Sequence, residues 1–280
     1  QRGYGEIELH LHHGKIRPDT PENLRETLDL CLRDYARFGI FGSENGRKRY
    51  GFIHGNWALN NSLANGQFCG VNNELSILRE TGCYADFTFP SCNRSNPKRI
   101  NSIYYADINL HRPKSYSSGV PARAGIGSQA GLLMVQGPVR PVWVDGRLTF
   151  GDSLSNSRPP TKKLMDAWIN TSIHIHGRRD WIIVKVHTHG AVNGEAVLGE
   201  AMHESFNHLE TVYNDGSEYV LHYVTARELY NVISAAEDGN SGDPDQYRDY
   251  RIQPPTYDAS LDIPEASEDL RRAVRRTYAD

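Results

Sequence analysis

Residues 6–13, EIELHLHH, begin the pattern that decides the fold. Glu and His occupy positions 6, 8, 10 and 12, while Ile, Leu and finally His13 fill the positions between, which is the period of two that is typical of a β-strand with one polar face. Thr20 and Pro21 then predict the start of a helix, with Thr20 as N-cap and Pro21 in the first turn. Apolar residues follow on one face of this helix as far as Gly39. The chain therefore opens with a strand followed by a helix.

The same alternation continues outward from this unit. Further strands are predicted at 50–56, 84–88, 181–187 and 219–224, and further helices at 73–81, 161–170, 196–212 and 225–236. Gly82 is expected to end the 73–81 helix, and Thr225 and Glu228 to form a capping box at the start of the last one. Alternating strands and helices indicate an α/β fold with largely parallel strands. We expect a distorted (β/α) barrel, with a doubly wound open sheet as the alternative. Residues 1–240 would form this domain, with a loop-rich β insertion at 91–160 that includes an Asp145-Gly146 hairpin signal, and residues 241–280 an extended tail.

Composition and charge exclude some classes of function. The 280 residues carry a net charge of −3 with both signs interleaved, which argues against a nucleic-acid partner. The sequence offers no apolar stretch of the roughly 18 residues that a membrane helix needs, and we expect a cytoplasmic protein. The first residues, QRGY, lack an initiator Met, so upstream sequence is expected. The cysteines show no CxxC spacing, although Cys69 could pair with Cys83 or Cys92 in a secreted protein.

Histidines are concentrated where predicted strands end. The 12 histidines include His10, His12 and His13 at the end of the first strand, and His187 and His189 after the apolar run WIIVKV. Sites in parallel α/β folds lie at the carboxyl ends of strands, so these imidazoles should meet on one face. His10 and His12 share a side of their strand and can bind one ion, whereas His13 points to the opposite side unless the strand has already turned. A divalent metal, with zinc as the first choice, is the expected cofactor.

Two further strand ends supply polar and aromatic side chains. The segment FIHGNWALN places His54, Asn56, Trp57 and Asn60 together, and amides beside an indole ring are suited to binding a sugar. Asp86, in YADFT, could orient a histidine or contact substrate. Four other histidines are interpreted as structural or exposed: His174 and His176 in the IHIH segment, and His203 and His208 in the predicted 196–212 helix.

These segments together resemble motifs of the polysaccharide deacetylase superfamily, in particular a bacterial branch of it. GEIELHLHH is similar to the motif that carries the metal-binding histidines, which would place one ligand on His10. The second ligand would fall on Gly14, so that His12 or His13 must replace it. YGFIHGNWAL resembles the motif that normally carries Arg-x-Pro, with His54 in place of Arg, and ETGCYADFTFPS resembles the motif whose Asp maps to Asp86.

VKVHTHG resembles the closing motif of the superfamily, which would make His187 or His189 the catalytic histidine. The Asp-Asp pair of the first motif, which supplies the base and a metal ligand, would precede Gln1. The resemblance implies a distorted (β/α) barrel and a metal-dependent hydrolase that removes acetyl groups from a carbohydrate. Two alternatives remain open at this point: a carbohydrate-binding protein without catalysis, and a glycoside hydrolase that uses Glu8 and Asp86 as its two carboxylates. The oligomeric state is not predicted.

Overall fold

A computed structural model describes residues 5–91, 94–144, 146–151, 153–258, 260–261 and 265–278. Its main feature is a seven-stranded mixed sheet in the order β1-β3-β4-β7-β5-β6, with β2 pairing with β3. Strands β1, β3, β4 and β7 run parallel, whereas β5 pairs antiparallel with β7 and β6 antiparallel with β5. The strand bounds are β1 Leu9–Leu11, β2 Gly42–Glu44, β3 Arg47–His54, β4 Cys83–Asp86, β5 Ile103–Ala106, β6 Gly119–Pro121 and β7 Leu132–Val135.

Helices cover both faces of this sheet. Leu24 and Leu28 of the first helix pack with Met134 on one face, while Ile233 of the sixth helix packs with Leu133 on the other. Neighbouring residues of β7 thus point into different cores, as the pleat requires. The helix bounds are α1 Pro21–Ala36, α2 Glu74–Thr81, α3 Lys162–Ile169, α4 Gly194–Leu198, α5 Glu200–Val212, α6 Ala226–Glu237 and α7 Glu268–Arg275.

The helix boundaries confirm the capping signals. The Thr20 side chain accepts a hydrogen bond from the backbone of Asn23 at the start of α1. Gly82 ends α2 in the left-handed conformation, at φ 111°, where a Cβ atom would be strained. Thr225 and Glu228 form the capping box of α6. The predicted 196–212 helix is divided into α4 and α5 at Gly199.

The predicted α/β class with parallel strands is confirmed, but a closed barrel is not seen. Among the described strands the sheet runs from β1 to β6 with no pairing between these two ends. The segments predicted as strands at 181–187 and 219–224 form no ladder. Trp181 and Ile183 are buried and Val184 is exposed, and the backbone N–H of Ile183 donates to the carbonyl of Ile173. The apolar run therefore reflects one-sided packing rather than a strand buried within the sheet.

The insertion and the C-terminal region differ in how well they were predicted. Strands β8 (Arg140–Val144) and β9 (Arg147–Gly151) form the expected antiparallel hairpin, although Asp145 lies outside the described residues. The prediction of an extended tail at 241–280 is wrong in part, because this region contains helix α7, which packs Leu270 and Ala273 against Leu30 of α1. Within the described residues, no helix combines the length and the apolar character that crossing a membrane would require.

Candidate metal centre

The histidines of two parallel strands meet at one end of the sheet. In the pairing of β1 with β3, His10 lies opposite Ile53 and Leu11 opposite His54. The side chains that follow divide into two layers. His13 and His54 are buried, with exposed fractions of 4% and 1%, whereas His10 is exposed and His12 half-buried.

Four side chains form the inner layer, which we call the buried cluster: His13, His54, Cys69 and Glu74. One oxygen of Glu74, Oε1, lies 3.1 Å from Nε2 of His13 and 3.5 Å from Nε2 of His54. The other, Oε2, lies 3.3 Å from Sγ of Cys69. The four donor atoms all lie within 4.8 Å of one another, so the buried cluster could hold a metal ion.

The loop between β3 and α2 places the carboxylate and the thiol. Glu74 is the first residue of α2, and its Oε2 accepts a hydrogen bond of 2.5 Å from the backbone N–H of Asn60. The backbone N–H groups of Asn61 and Val71 lie 3.2 and 3.4 Å from Sγ of Cys69. Backbone donors of one loop therefore orient both acceptors.

A hydrogen bond at Nδ1 holds each of the two buried histidine rings in place. In His13, Nδ1 lies 2.8 Å from Oδ2 of Asp19, and in His54, Nδ1 lies 2.6 Å from the carbonyl of Gly55. A carbonyl oxygen only accepts, so Nδ1 of His54 carries the proton and Nε2 presents a lone pair. Nε2 of His54 is buried and has no hydrogen-bond partner.

Protonation states differ within the buried cluster. Burial alone would lower the pKa of His13, but hydrogen bonds to Asp19 and Glu74 outweigh it and raise that pKa to about 9. Burial lowers the pKa of His54 to about 4 although Glu74 opposes this shift. Burial, reinforced by the charge of Glu74, raises the pKa of the Cys69 thiol well above its usual range. At neutral pH the metal-free cluster thus holds an imidazolium at position 13, a neutral imidazole at position 54 and a protonated thiol.

A second group of rings lies outside this cluster. We call it the histidine face: His10, His12, His187, His189 and Trp57. The Nε2 atoms of His10 and His12 are 2.8 Å apart, and His189 is close enough to act electrostatically on both. The rings of His187 and His189 meet Trp57 edge-on, with centroids 6.1 and 5.9 Å away.

The electrostatics around His10 and His12 favour neutral imidazoles. Partial burial lowers the pKa of His10, and the nearby His189 lowers it further. The pKa of His12 is lowered by burial and then by His10 and His189. Unprotonated nitrogens are the form in which histidine binds a metal ion. The histidine face can therefore supply imidazole lone pairs to a cation near neutral pH.

Backbone strain accompanies the aromatic ring of this face. Trp57 has φ 52° and its neighbour Asn56 has φ 57°. Asn tolerates the left-handed region, but a bulky residue such as Trp adopts it only when the surrounding structure imposes it. Such strain, about 1–3 kcal/mol, persists mainly at functional sites. It places the indole of Trp57 beside His187 and His189.

Three of the residues that the sequence predicted to act on substrate are buried in the structure. His54 and Asn60 are buried, with exposed fractions of 1% and 0%, so we reassign them from sugar binding to support of the buried cluster. The side chain of Asn60 bonds to Asn72 and Ser115. Asp86 is also buried, and burial raises its pKa to about 7 despite hydrogen bonds from Thr88. Asn56 stays half-buried and close to Trp57 in sequence.

Sequence reasoning missed Asp19, Cys69 and Glu74. A usable signal existed for Glu74, because a carboxylate at the first position of a predicted helix beside a histidine-rich strand end is well placed to bind a cation or an imidazolium. The pairing of Cys69 with Cys83, left open by the sequence, is not formed, because both are free thiols, and Cys92 lies outside the described residues.

The other histidines behave as expected. Nδ1 of His174 bonds to a backbone carbonyl, His208 pairs with Asp166, and His176 and His203 are exposed. A further group, His222 with Asp243 and Asp245, also has metal-ligand spacing. Asp245 in that group already pairs with Arg248 at 2.6 Å, so a cation is present there without a metal.

Comparison with known proteins adds no assignment to this geometry. No protein-family model, no curated protein sequence and no solved structure matches the chain.

Proposed function

We propose that this protein is a metal-dependent hydrolase that removes acetyl groups from a carbohydrate, and that the reaction takes place at the histidine face. The observation that carries the proposal is the His10–His12 pair, whose Nε2 atoms lie 2.8 Å apart at an accessible strand end next to His189. The motif resemblance to polysaccharide deacetylases gives the reaction class. In this proposal the open sheet corresponds to part of the distorted barrel of that superfamily.

His10 and His12 would hold the metal ion, with zinc as the best match to imidazole ligands. A bound divalent ion polarises a carbonyl group and lowers the pKa of bound water towards about 7. His13, expected from the sequence as a possible third ligand, faces Asp19 and Glu74 instead. His189 or His187 would donate a proton to the leaving amine or alkoxide, since histidine exchanges protons near neutral pH.

Trp57 and Asn56 would hold the sugar. An indole ring offers an apolar face for the ring of a saccharide, and an amide offers both a donor and an acceptor to its hydroxyls. Both residues lie in the strained turn after β3. The strain is consistent with a binding role, because residues held in this conformation cluster at ligand sites.

The glycoside hydrolase alternative loses support from the positions of its carboxylates. Glu8 accepts hydrogen bonds from Tyr84 and from the backbone of Gly51, and Asp86 is 1% exposed. A pair that hydrolyses a glycosidic bond must contact the substrate from two sides. Carbohydrate binding without catalysis remains the second candidate, because Asn56 and Trp57 are suited to bind a sugar without any metal.

The direct test is acetate release. The zinc-loaded protein is incubated with a panel of N- and O-acetylated oligosaccharides, with and without a chelator, and acetate is quantified. We expect release that the chelator blocks and that His10→Ala abolishes, while His176→Ala, which alters an exposed histidine of another segment, leaves it unchanged. Binding of the same sugars without any release would replace the hydrolase by the binding function.

A further inference from the structure

We propose that the buried cluster is a second, closed metal site in which His13, His54, Cys69 and Glu74 bind a zinc ion that stabilises the fold. This site is separate from the histidine face and does not depend on the function proposed there. The proposal is based on the observation that two imidazoles, a thiol and a carboxylate from three segments of the chain lie close together.

The donor set and its spacing suit zinc. Zinc binds histidine nitrogen and carboxylate oxygen at about 2.0–2.2 Å and thiolate sulfur at about 2.3 Å, in a tetrahedron whose ligand atoms are then roughly 3.3–3.7 Å apart. The two imidazole nitrogens lie 3.1 and 3.5 Å from Oε1 of Glu74, and Sγ of Cys69 lies 3.3 Å from Oε2. The four donor atoms all lie within 4.8 Å of one another, so closing around a zinc ion requires shifts of about 1 Å or less.

The outer contacts of both histidines are those of metal ligands. A metal-binding histidine generally donates its second N–H to a carboxylate or a backbone carbonyl, which fixes the ring and its tautomer. His13 has Asp19 in this position and His54 has the carbonyl of Gly55. Each Nε2 is thereby directed into the cluster.

The unpartnered nitrogen of His54 is the independent sign of a ligand. Its Nε2 is fully buried and makes no hydrogen bond, although it lies 3.5 Å from Oε1 of Glu74. A buried polar atom without a partner costs about 1–3 kcal/mol. A zinc ion would satisfy this lone pair and would replace the protons that now join His13 and Cys69 to Glu74.

Burial makes the site structural rather than catalytic. Cys69 and Glu74 are 0% exposed, so substrate has no access to the ion. Four protein ligands also leave no open position for water, which is the mark of a structural zinc site. The ion would join the end of β1, the end of β3 and the start of α2 across the loop that carries Cys69.

Cobalt substitution tests the site without reference to activity. The chelated, metal-free protein is titrated with Co²⁺ alone, and a thiolate-to-cobalt charge-transfer band is expected at one equivalent. Cys69→Ser should abolish the band and lose one equivalent of tightly held zinc by elemental analysis. Cys31→Ser, which removes a thiol of α1 outside the cluster, should keep both.

The same experiment separates the two sites. The double variant His10→Ala/His12→Ala should retain the thiolate band, and zinc should raise the melting temperature of this variant as it does that of the wild type. If wild-type protein binds cobalt without a thiolate band, the proposal is overturned, and that result stands even if Cys69→Ser does not fold. Failure of acetate release, by contrast, would leave the band unaffected.

Discussion

The buried cluster and the histidine face begin in the same four residues, HLHH, yet they are chemically opposite. His13 lies between Asp19 and Glu74, which raise its pKa to about 9. For His10 and His12, burial and neighbouring imidazoles lower the pKa. One strand therefore delivers a charged imidazole inwards and two neutral ones outwards. The neighbours that the fold brings, rather than the residue type, decide what each histidine can do.

The largest expected effect concerns the histidine face. His189→Ala should reduce acetate release by roughly 10²–10⁴-fold, as is usual when a general acid is lost. The free energy of unfolding should change by less than about 0.5 kcal/mol, because His189 is exposed. Steady-state kinetics and urea denaturation measure the two quantities. An unchanged rate would remove His189 from the proposed reaction and leave His187 as the candidate.

The buried cluster should show the reverse behaviour. Glu74→Gln leaves the imidazolium of His13 with Asp19 alone, and removing one partner of a buried ion pair costs about 3 kcal/mol or more. We expect this loss in the urea denaturation of the metal-free protein. His12→Gln is the matched control and should cost less than about 1 kcal/mol. His12 is half-buried, and no carboxylate of the described residues contacts it. Equal costs for the two variants would contradict the division into two layers.

The buried cluster should make the stability of the protein depend on pH above neutrality. The pKa of His13 in the fold is about 9, above the value of about 6.5 in an unfolded chain. Its stabilising contribution is therefore complete below about pH 6.5 and is lost as the pH rises through about 9. Asp86, Glu8 and Glu237 have pKa values raised by burial to about 7, so they titrate largely below this window.

The difference in unfolding free energy between wild type and His13→Gln, measured between about pH 7.5 and 9.5, isolates the contribution of His13. The buried thiols, whose pKa values burial also raises, are present in both proteins. We expect the metal-free protein to lose on the order of 1–3 kcal/mol over this range, given about 1.4 kcal/mol per pKa unit. His13→Gln should reduce this loss, and His12→Gln should not. A wild-type curve that is already flat would show that His13 is neutral in the fold.

The separation of the buried cluster from the histidine face could be predicted in part from the sequence. The alternation of residues 6–13 correctly separates His13 from His10 and His12, because successive side chains on a strand point to opposite sides. The capping signals at Thr20, Gly82 and Thr225 also locate their helices. These features depend only on local geometry, which short sequence patterns encode.

Contacts between distant segments could not be read in this way. Cys69 and Glu74 reach His13 through a loop in which Asn60, Asn61 and Phe68 have positive φ angles, and no pattern in the sequence specifies that path. The 181–187 segment failed for a related reason: its apolar residues predict an extended backbone, but pairing with a neighbouring strand depends on tertiary structure.

The smallest effect tests how rigidly the buried cluster is built. Oδ1 of Asp19 accepts hydrogen bonds of 2.8 Å from the backbone of Thr20 and from Nδ2 of Asn23, which leaves Oδ2 for His13. Thr20→Ala removes only the cap that accepts from the backbone of Asn23, and such a loss costs about 1 kcal/mol. Because the two bonds that hold Asp19 do not involve the Thr20 side chain, zinc stoichiometry and the pH dependence above pH 7.5 should be unchanged.

Thr225→Ala, which removes the cap of α6 far from the cluster, is the matched control and should cost a similar amount. Thermal and urea denaturation of both variants measure the cost, and elemental analysis measures the zinc. A loss of zinc in Thr20→Ala alone would mean that the start of α1 positions Asp19 through its cap. The buried cluster would then depend on helix geometry as well as on the hydrogen bonds that now define it.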